Sequence, residues 1–342
     1  VVRPRISIVL PVYFGRQADA QQISQLGRAI DSVFAQTFPD EWELLLIDDG
    51  NEVPLQTLMA GRSAYADRRV EIHRVPINSG LVNALNTGLA LARFELIARL
   101  DADDYWLDGK LARQLNRFAQ DSSLTLSATG MTLNFEDGAA AQEIIRPDGW
   151  QNILRFTRDV GCPFPHGSVI GRKDVFRALG GYSHAVDARH AEDFELWTRW
   201  IRFFKPAMEE KSFYHYTVAA GSVSISQGDA QRRASSWIHQ RYLALGRIDD
   251  IPAQIEELAE LLGITVLETG FLLHALWKHR PSSFALPVAS VPLIRRILSD
   301  RRLFSTDTPA RSSWSDLLSA SVTTFQRASR ADAHALQSIE IF

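Results

Sequence analysis

Short apolar runs alternate with segments of helical periodicity along the first hundred residues. Ile6-Ser7-Ile8-Val9-Leu10-Pro11-Val12 is β-branched and closed by proline, and apolar positions then recur at Ile23, Leu26, Ile30 and Phe34. This spacing predicts a strand, a loop and a helix. Trp42 to Ile47 repeats the run and ends in Asp48-Asp49-Gly50, Val70 to Val75 ends near Asn78-Ser79-Gly80, and Phe94 to Leu100 ends in Asp101-Ala102-Asp103-Asp104. Near-continuous apolar strands interleaved with helices predict an α/β fold with a mainly parallel sheet covered on both faces. In such sheets ligands sit beyond the carboxyl ends of the strands, where this chain gathers its Asp, Asn, Ser and Gly residues.

The second half continues with a strand at 128–135, the turn signal Glu136-Asp137-Gly138 and a return through Ile144-Ile145. That predicts a hairpin. His190-Ala191-Glu192-Asp193 opens an amphipathic helix whose buried stripe is Leu196, Trp197, Trp200 and Ile201, and Tyr214 to Val218 reads as another strand. After about Gln231 the pattern becomes helical, over 237–245, 251–262 and 266–278, with basic pairs at Arg295-Arg296 and Arg301-Arg302. A division follows into a domain of residues 1–230, with halves meeting near 105, and a helical extension of residues 231–342.

Composition narrows the classes. With 46% hydrophobic and 23% charged residues in 342, the chain is expected to fold rather than remain disordered. A net charge of -3 supplies no basic field for general nucleic-acid binding. Cys162 is the only cysteine, which excludes an internal disulfide and reads as structural. No signal-peptide pattern or bilayer-length apolar run is present, so a cytoplasmic location is expected. The basic amphipathic tail has two readings, helices packed on the catalytic domain or contact with an anionic membrane surface.

Candidate chemistry starts with the acids. Asp101, Asp103 and Asp104 repel one another unless a cation or donor compensates them, which suits a hard divalent ion such as Mg²⁺ or Mn²⁺ shared with phosphate. Equally, Asp at this place caps a helix leading to Leu111. Asp49 before Gly50 has a turn reading, Glu192 and Asp193 have a helix-dipole reading, and His166 has a reading as a satisfied structural residue. Neither Gly-x-Gly-x-x-Gly nor a P-loop follows the first strand.

In this order the motifs Ile8-Val9-Leu10-Pro11-Val12-Tyr13, Leu46-Ile47-Asp48-Asp49-Gly50, Asn78-Ser79-Gly80 through Gly88, and Leu100 through Asp104 resemble a family 2 inverting glycosyltransferase of the GT-A fold. The resemblance covers about two thirds of the chain. It implies transfer of a sugar from a nucleotide-diphosphate donor, UDP-linked by preference, to a glycan or lipid-linked acceptor in polysaccharide synthesis at the inner face of the cell membrane. Pro11, Val12, Tyr13, Asp48, Asp49, Asn78, Gly80, Asn86, Asp101 and Ala102 would bind the nucleotide, with Asp49 accepting from the base. Asp103, with Asp101, would hold the metal. Asp193 beside Glu192 would be the catalytic base, and His166 and Trp197 would line the acceptor side.

Two positions depart from the family. Leu85 stands where some relatives carry a diphosphate-binding Arg, and Thr217 and Ala219 replace an Arg-x-His before Ser222-Val223-Ser224, which leaves His166 or His215 as a further metal ligand. The alternatives are a sugar-nucleotide nucleotidyltransferase and an inactive nucleotide-sugar-binding scaffold.

Overall fold

Strand β1 (Ile6–Val12) is buried along its whole length, because it lies in parallel between β2 (Trp42–Asp49) and β4 (Leu96–Arg99). β3 (Val70–Val75) pairs in parallel with the far side of β2. The computed structural model describes residues 5–15, 17–37, 41–219 and 227–244. Across β4 the sheet turns antiparallel through β8 (Ile170–Arg172) to β6 (Leu126–Phe135). β6 then pairs in parallel with β9 (Pro206–Val218) and antiparallel with β7 (Gln142–Ile144), while β5 (Tyr105–Trp106) borders β9. The parallel expectation therefore holds for the first four strands, and the second half is mixed.

The helices explain why β1 is dry. α1 (Ala20–Phe34) starts at a capping box in which Asp19 and Gln22 satisfy each other's backbone N–H, and it buries Leu26, Ala29, Ile30 and Val33. A one-turn helix α2 is formed by Leu55–Leu58. α3 (Leu81–Leu91) comes close enough to the sheet that a Cβ on Gly88 would lie 2.3 Å from Val9 Cγ1. Leu85, where a phosphate-binding arginine would stand, is buried on this helix. Further on lie α4 (Lys110–Gln120), α5 (Trp150–Asp159), α6 (Lys173–Ala178), α7 (Glu192–Phe203) and α8 (Gly228–Ala244).

Two units divide the chain, residues 1–176 with 181–244 and residues 177–180 with 245–342. The first runs past the expected boundary at 230 because α8 buries Ala234 and Ile238 against Ala188, Ala191 and Phe194. The predicted helices at 251–262 and 266–278, the basic pairs and Ser222-Val223-Ser224 lie outside the described residues. Among the described residues no helix is long and apolar enough to cross a membrane.

The acidic run does not start a helix. α4 begins at Lys110 after Gly109 in the left-handed region, five residues beyond the expected cap. Asp104 is instead fully buried, accepting from the Thr217 backbone N–H at 2.7 Å and from the Tyr214 hydroxyl. The Thr217 hydroxyl donates to the Asp103 carbonyl at 2.6 Å. The residue that replaces the family's Arg therefore straps β9 to the acidic loop.

The end of β2 organises two loops. Asp48 is fully buried and accepts from the Asn51 backbone and side chain at 2.9 and 2.8 Å, from Leu55 N at 3.0 Å and from Arg74 Nη1 at 3.1 Å. Expected at the nucleotide, it is a structural anchor whose acceptor positions are filled. Asp49 accepts from Ser79 N and Oγ, both at 2.9 Å, from Asn78 Nδ2 at 3.0 Å and from Gly80 N at 2.9 Å. Four donors fill a carboxylate's acceptor positions, so a base contact by Asp49 requires one donor to be exchanged. Replacing Asp49 with Ala strands these donors and is expected to cost about 1–3 kcal/mol of stability without any nucleotide. A lowered urea midpoint measures that loss, and an unchanged midpoint would limit Asp49 to ligand binding.

Candidate functional site

Beyond the strand ends lies a cavity of about 1140 Å³. One end is formed by Asn78, Ser79 and Gly80, where Gly80 at φ +88° precedes α3, and by Asp101 and Asp103 after β4. The same cavity is lined by Arg146, Cys162, His166 and the His190 to Phe194 segment. A floor of Met131, Leu133, Phe135, Tyr214, Tyr216 and Val218 follows from the β6–β9 register, which places these alternate residues on one face.

The three neighbouring acids have different fates. Asp101 is held by both terminal guanidinium nitrogens, Nη1 and Nη2, of Arg99, which is 4% exposed. Asp104 is locked under Tyr214 as described, and burial followed by the Asp103 and Asp101 charges pushes its carboxyl well above the usual range. Asp103 is exposed on the cavity edge, and among the described residues no cation pairs with it. The surrounding protein, then the Asp101 charge, lift its carboxyl to about 6, although solvent at this exposed position tempers the burial part of that rise.

Asp193 stands at the start of α7 and lines the same cavity. Burial is the main cause of its carboxyl being pushed up to about 6, with Glu192 adding to the rise and Phe194 N–H, Arg99 and Arg146 opposing it. A helix N-terminus would hold an acid down, so desolvation wins. Glu192 does not compete for a substrate proton with the same freedom, because its Oε1 accepts from His190 N at 3.0 Å. His190 has φ +73°, which is uncommon for a residue with a Cβ, and its carbonyl accepts from Gln231 Nε2 of α8 at 3.0 Å.

The remaining expected residues divide between cavity and scaffold. His166 lines the cavity, and its Nε2 meets the Tyr182 hydroxyl at 2.8 Å; burial and the Arg99 charge keep the ring neutral. Trp197, expected on the acceptor side, is instead fully buried behind His166 and Phe164, with ring centroids at 6.0 and 5.9 Å. Asn86, expected at the nucleotide, exchanges two 2.9 Å bonds with the backbone of Tyr182 and does not line the cavity. Ala102 packs on the core and Pro11 and Val12 are buried, whereas Tyr13 is exposed; none of the four lines the cavity. His215 is off the cavity as well, bonded through Nδ1 to the Tyr105 hydroxyl at 2.6 Å.

Arg99, Arg146, Arg189, His190 and Gln231 line the cavity without having been expected there. One signal was available. An arginine closing the apolar run Leu96-Ile97-Ala98-Arg99 has to meet a carboxylate, and Asp101 is the next one along the chain. For Arg146 and Gln231 only the tertiary arrangement identifies the site.

A divalent cation would find a partial ligand set. Asp103 offers an uncompensated carboxylate at the cavity edge, as a hard cation shared with phosphate requires, while Asp101 is already paired. No group of three His, Cys, Asp or Glu that could enclose a metal occurs among the described residues. The residues thus fit a cation held by Asp103, with Asp101 beside it and the remaining ligands drawn from substrate and water.

Comparison with known proteins agrees with this geometry. EpsE of Bacillus subtilis, described as a glycosyltransferase, is 26% identical over 233 residues, 68% of this chain and 77% of EpsE. The O-antigen biosynthesis glycosyltransferase WbnJ of Escherichia coli is 30% identical over 171 residues, 50% of this chain and 64% of WbnJ. The crystal structure of S. aureus TarS 1-349 in complex with UDP-GlcNAc has a similar fold, with a TM-score of 0.53 at 15% identity, covering 95% of this chain and 92% of that one. The model of glycosyl transferase family 2 matches residues 7–180, a little over half of the chain, and the protein belongs to that family and is a glycosyltransferase.

Proposed function

We propose that this chain is an inverting glycosyltransferase that takes its sugar from a UDP-linked donor and passes it to a hydroxyl of a growing surface glycan. The observation carrying the proposal is Asp193, a carboxylate lifted to about 6 that lines the same cavity as Asp101 and Asp103. The donor diphosphate is assigned to the Asp101 and Asp103 end and the nucleoside to the 78–80 loop, with the exposed Tyr13 as a further candidate for the base. TarS binds UDP-GlcNAc, and the same donor class is proposed here. The cytoplasm, where such donors are made, is the proposed site of action.

In the reaction the acceptor oxygen attacks the anomeric carbon while the carbon–oxygen bond to the diphosphate breaks and its electron pair leaves with the phosphate. Asp193 accepts the hydroxyl proton as the new bond forms. A group near 6 is well matched to this role at neutral pH, being mostly ionised yet basic enough to help. Arg99 holds Asp101 in place, Asp49 fixes the 78–80 loop, and the Gln231 bond to His190 fixes the entry to α7. When bound, Mn²⁺ or Mg²⁺ would supply electrostatic stabilisation of the departing diphosphate, held by Asp103 with Asp101 beside it.

Asp193→Asn is expected to lower kcat by about a hundredfold or more while UDP affinity changes little, as measured by diphosphate release and calorimetry. Full transfer activity in that variant would remove the base from the mechanism. The base must be ionised to act, so log(kcat/KM) should fall as pH drops through about 6. A flat profile from pH 5 to 8, scanned in steps of about half a unit, would contradict the assignment. EDTA is expected to abolish transfer and Mn²⁺ to restore it, and Asp103→Ala should remove the Mn²⁺ dependence of UDP binding. Undiminished transfer in EDTA would exclude the cation.

A further inference from the structure

Arg146 is a cation whose strength the transfer reaction does not use. It lies two residues beyond the end of β7 and lines the cavity, and one of its N–H groups donates from Nη1 to the Cys162 carbonyl at 2.6 Å. Its guanidinium lies 5.8 Å from the centre of the Phe156 ring. No carboxylate pairs with it among the described residues, although the guanidinium has five donors. Two contacts hold the group in one orientation, and a guanidinium fixed in this way presents a planar fork to an oxyanion.

Its position distinguishes the two substrates. Arg99 pairs with Asp101 and acts on both Asp103 and Asp193, so its charge is already engaged. Arg146 acts on Asp193 and Cys162 and is bonded to the Cys162 carbonyl. Cys162 packs against the cluster of Ala188, Ala191 and Phe194 that brackets Asp193. The fork therefore stands beside the segment that carries the proton acceptor. Next to it lies an apolar face of Met131, Leu133 and Ile144, on which the flat side of a sugar ring can rest. Arg189 adds an exposed positive charge to the same cavity.

We infer that the acceptor is an acidic saccharide, with a carboxylate or phosphate on the accepting sugar unit seated on Arg146 while its hydroxyl faces Asp193. The inference rests on the glycosyltransferase reading above and adds the acceptor's chemical class. It makes Arg146 a specificity residue for the acceptor. A neutral sugar would leave the guanidinium without its counter-charge in a half-enclosed cavity, and that loss sets the preference.

The test uses the full chain. UDP with Mn²⁺ is titrated first by calorimetry, and absence of UDP binding would end the underlying donor reading before any acceptor is added. With UDP saturating, p-nitrophenyl β-D-glucuronide, methyl α-D-glucoside 6-phosphate and the neutral p-nitrophenyl β-D-glucoside are compared. At least one acidic probe is expected to bind about tenfold or more tightly than the neutral glucoside, and the probe that does so identifies carboxylate or phosphate. Arg146→Gln should erase the preference with UDP affinity moving less than about twofold, and Arg146→Lys, which keeps the charge but not the fork, should retain part of it. Equal or undetectable binding of both acidic probes relative to the neutral one overturns the inference. So does an Arg146→Gln protein with a native urea midpoint that loses UDP affinity instead, because the arginine would then serve the donor.

Discussion

Three carboxylates within four residues have to be kept from repelling one another, and the site depends on how this is done. Asp101 is neutralised by Arg99, Asp104 is buried under Tyr214 and the Thr217 backbone, and only Asp103 is left open. Two compensated acids and one uncompensated acid give a single place where positive charge is wanted. If all three were open, their mutual repulsion would raise every pKa and weaken the loop. If all were paired, no site would remain for a cation shared with phosphate.

The same economy appears at Asp193. Asp193 gains basicity from burial, and its place is fixed from behind by elements far apart in sequence. Gln231 of α8 holds the strained His190, Glu192 turns back to the His190 amide, and Asn86 of α3 clamps Tyr182, whose hydroxyl meets His166. Asn86 and Trp197 thus act one layer behind the cavity surface. Their removal would move the groups that line the cavity rather than delete a contact to substrate.

Much of the fold was legible because its signals are local. The apolar runs at 6–12 and 42–49, the Asp19 capping box and the stripe on α7 each specify their element over a few residues. At the site, Asn78, Gly80, Asp101, Asp103, His166, Glu192 and Asp193 all reach the cavity as their place after strands and before helices implies. What sequence order could not separate was adjacent residues with opposite jobs. Asp48 and Asp49 point to different loops, and Asp104 is drawn inward by Tyr214, 110 residues away. Arg146 was equally hidden, since it becomes a site residue only when β7 and α7 meet at one cavity.

The central claim is a single displacement between a diphosphate at the Asp103 end and an acceptor hydroxyl at Asp193. The anomeric configuration of the product, read by ¹H NMR for whichever nucleotide sugar the enzyme turns over, tests it most directly. With Glu192 engaged by the His190 amide and Asp101 by Arg99, direct attack by the acceptor assisted by Asp193 predicts inversion, so an α-linked donor should yield a β-linked product. Retention of configuration would require a different course and would contradict the assignment of Asp193 as base.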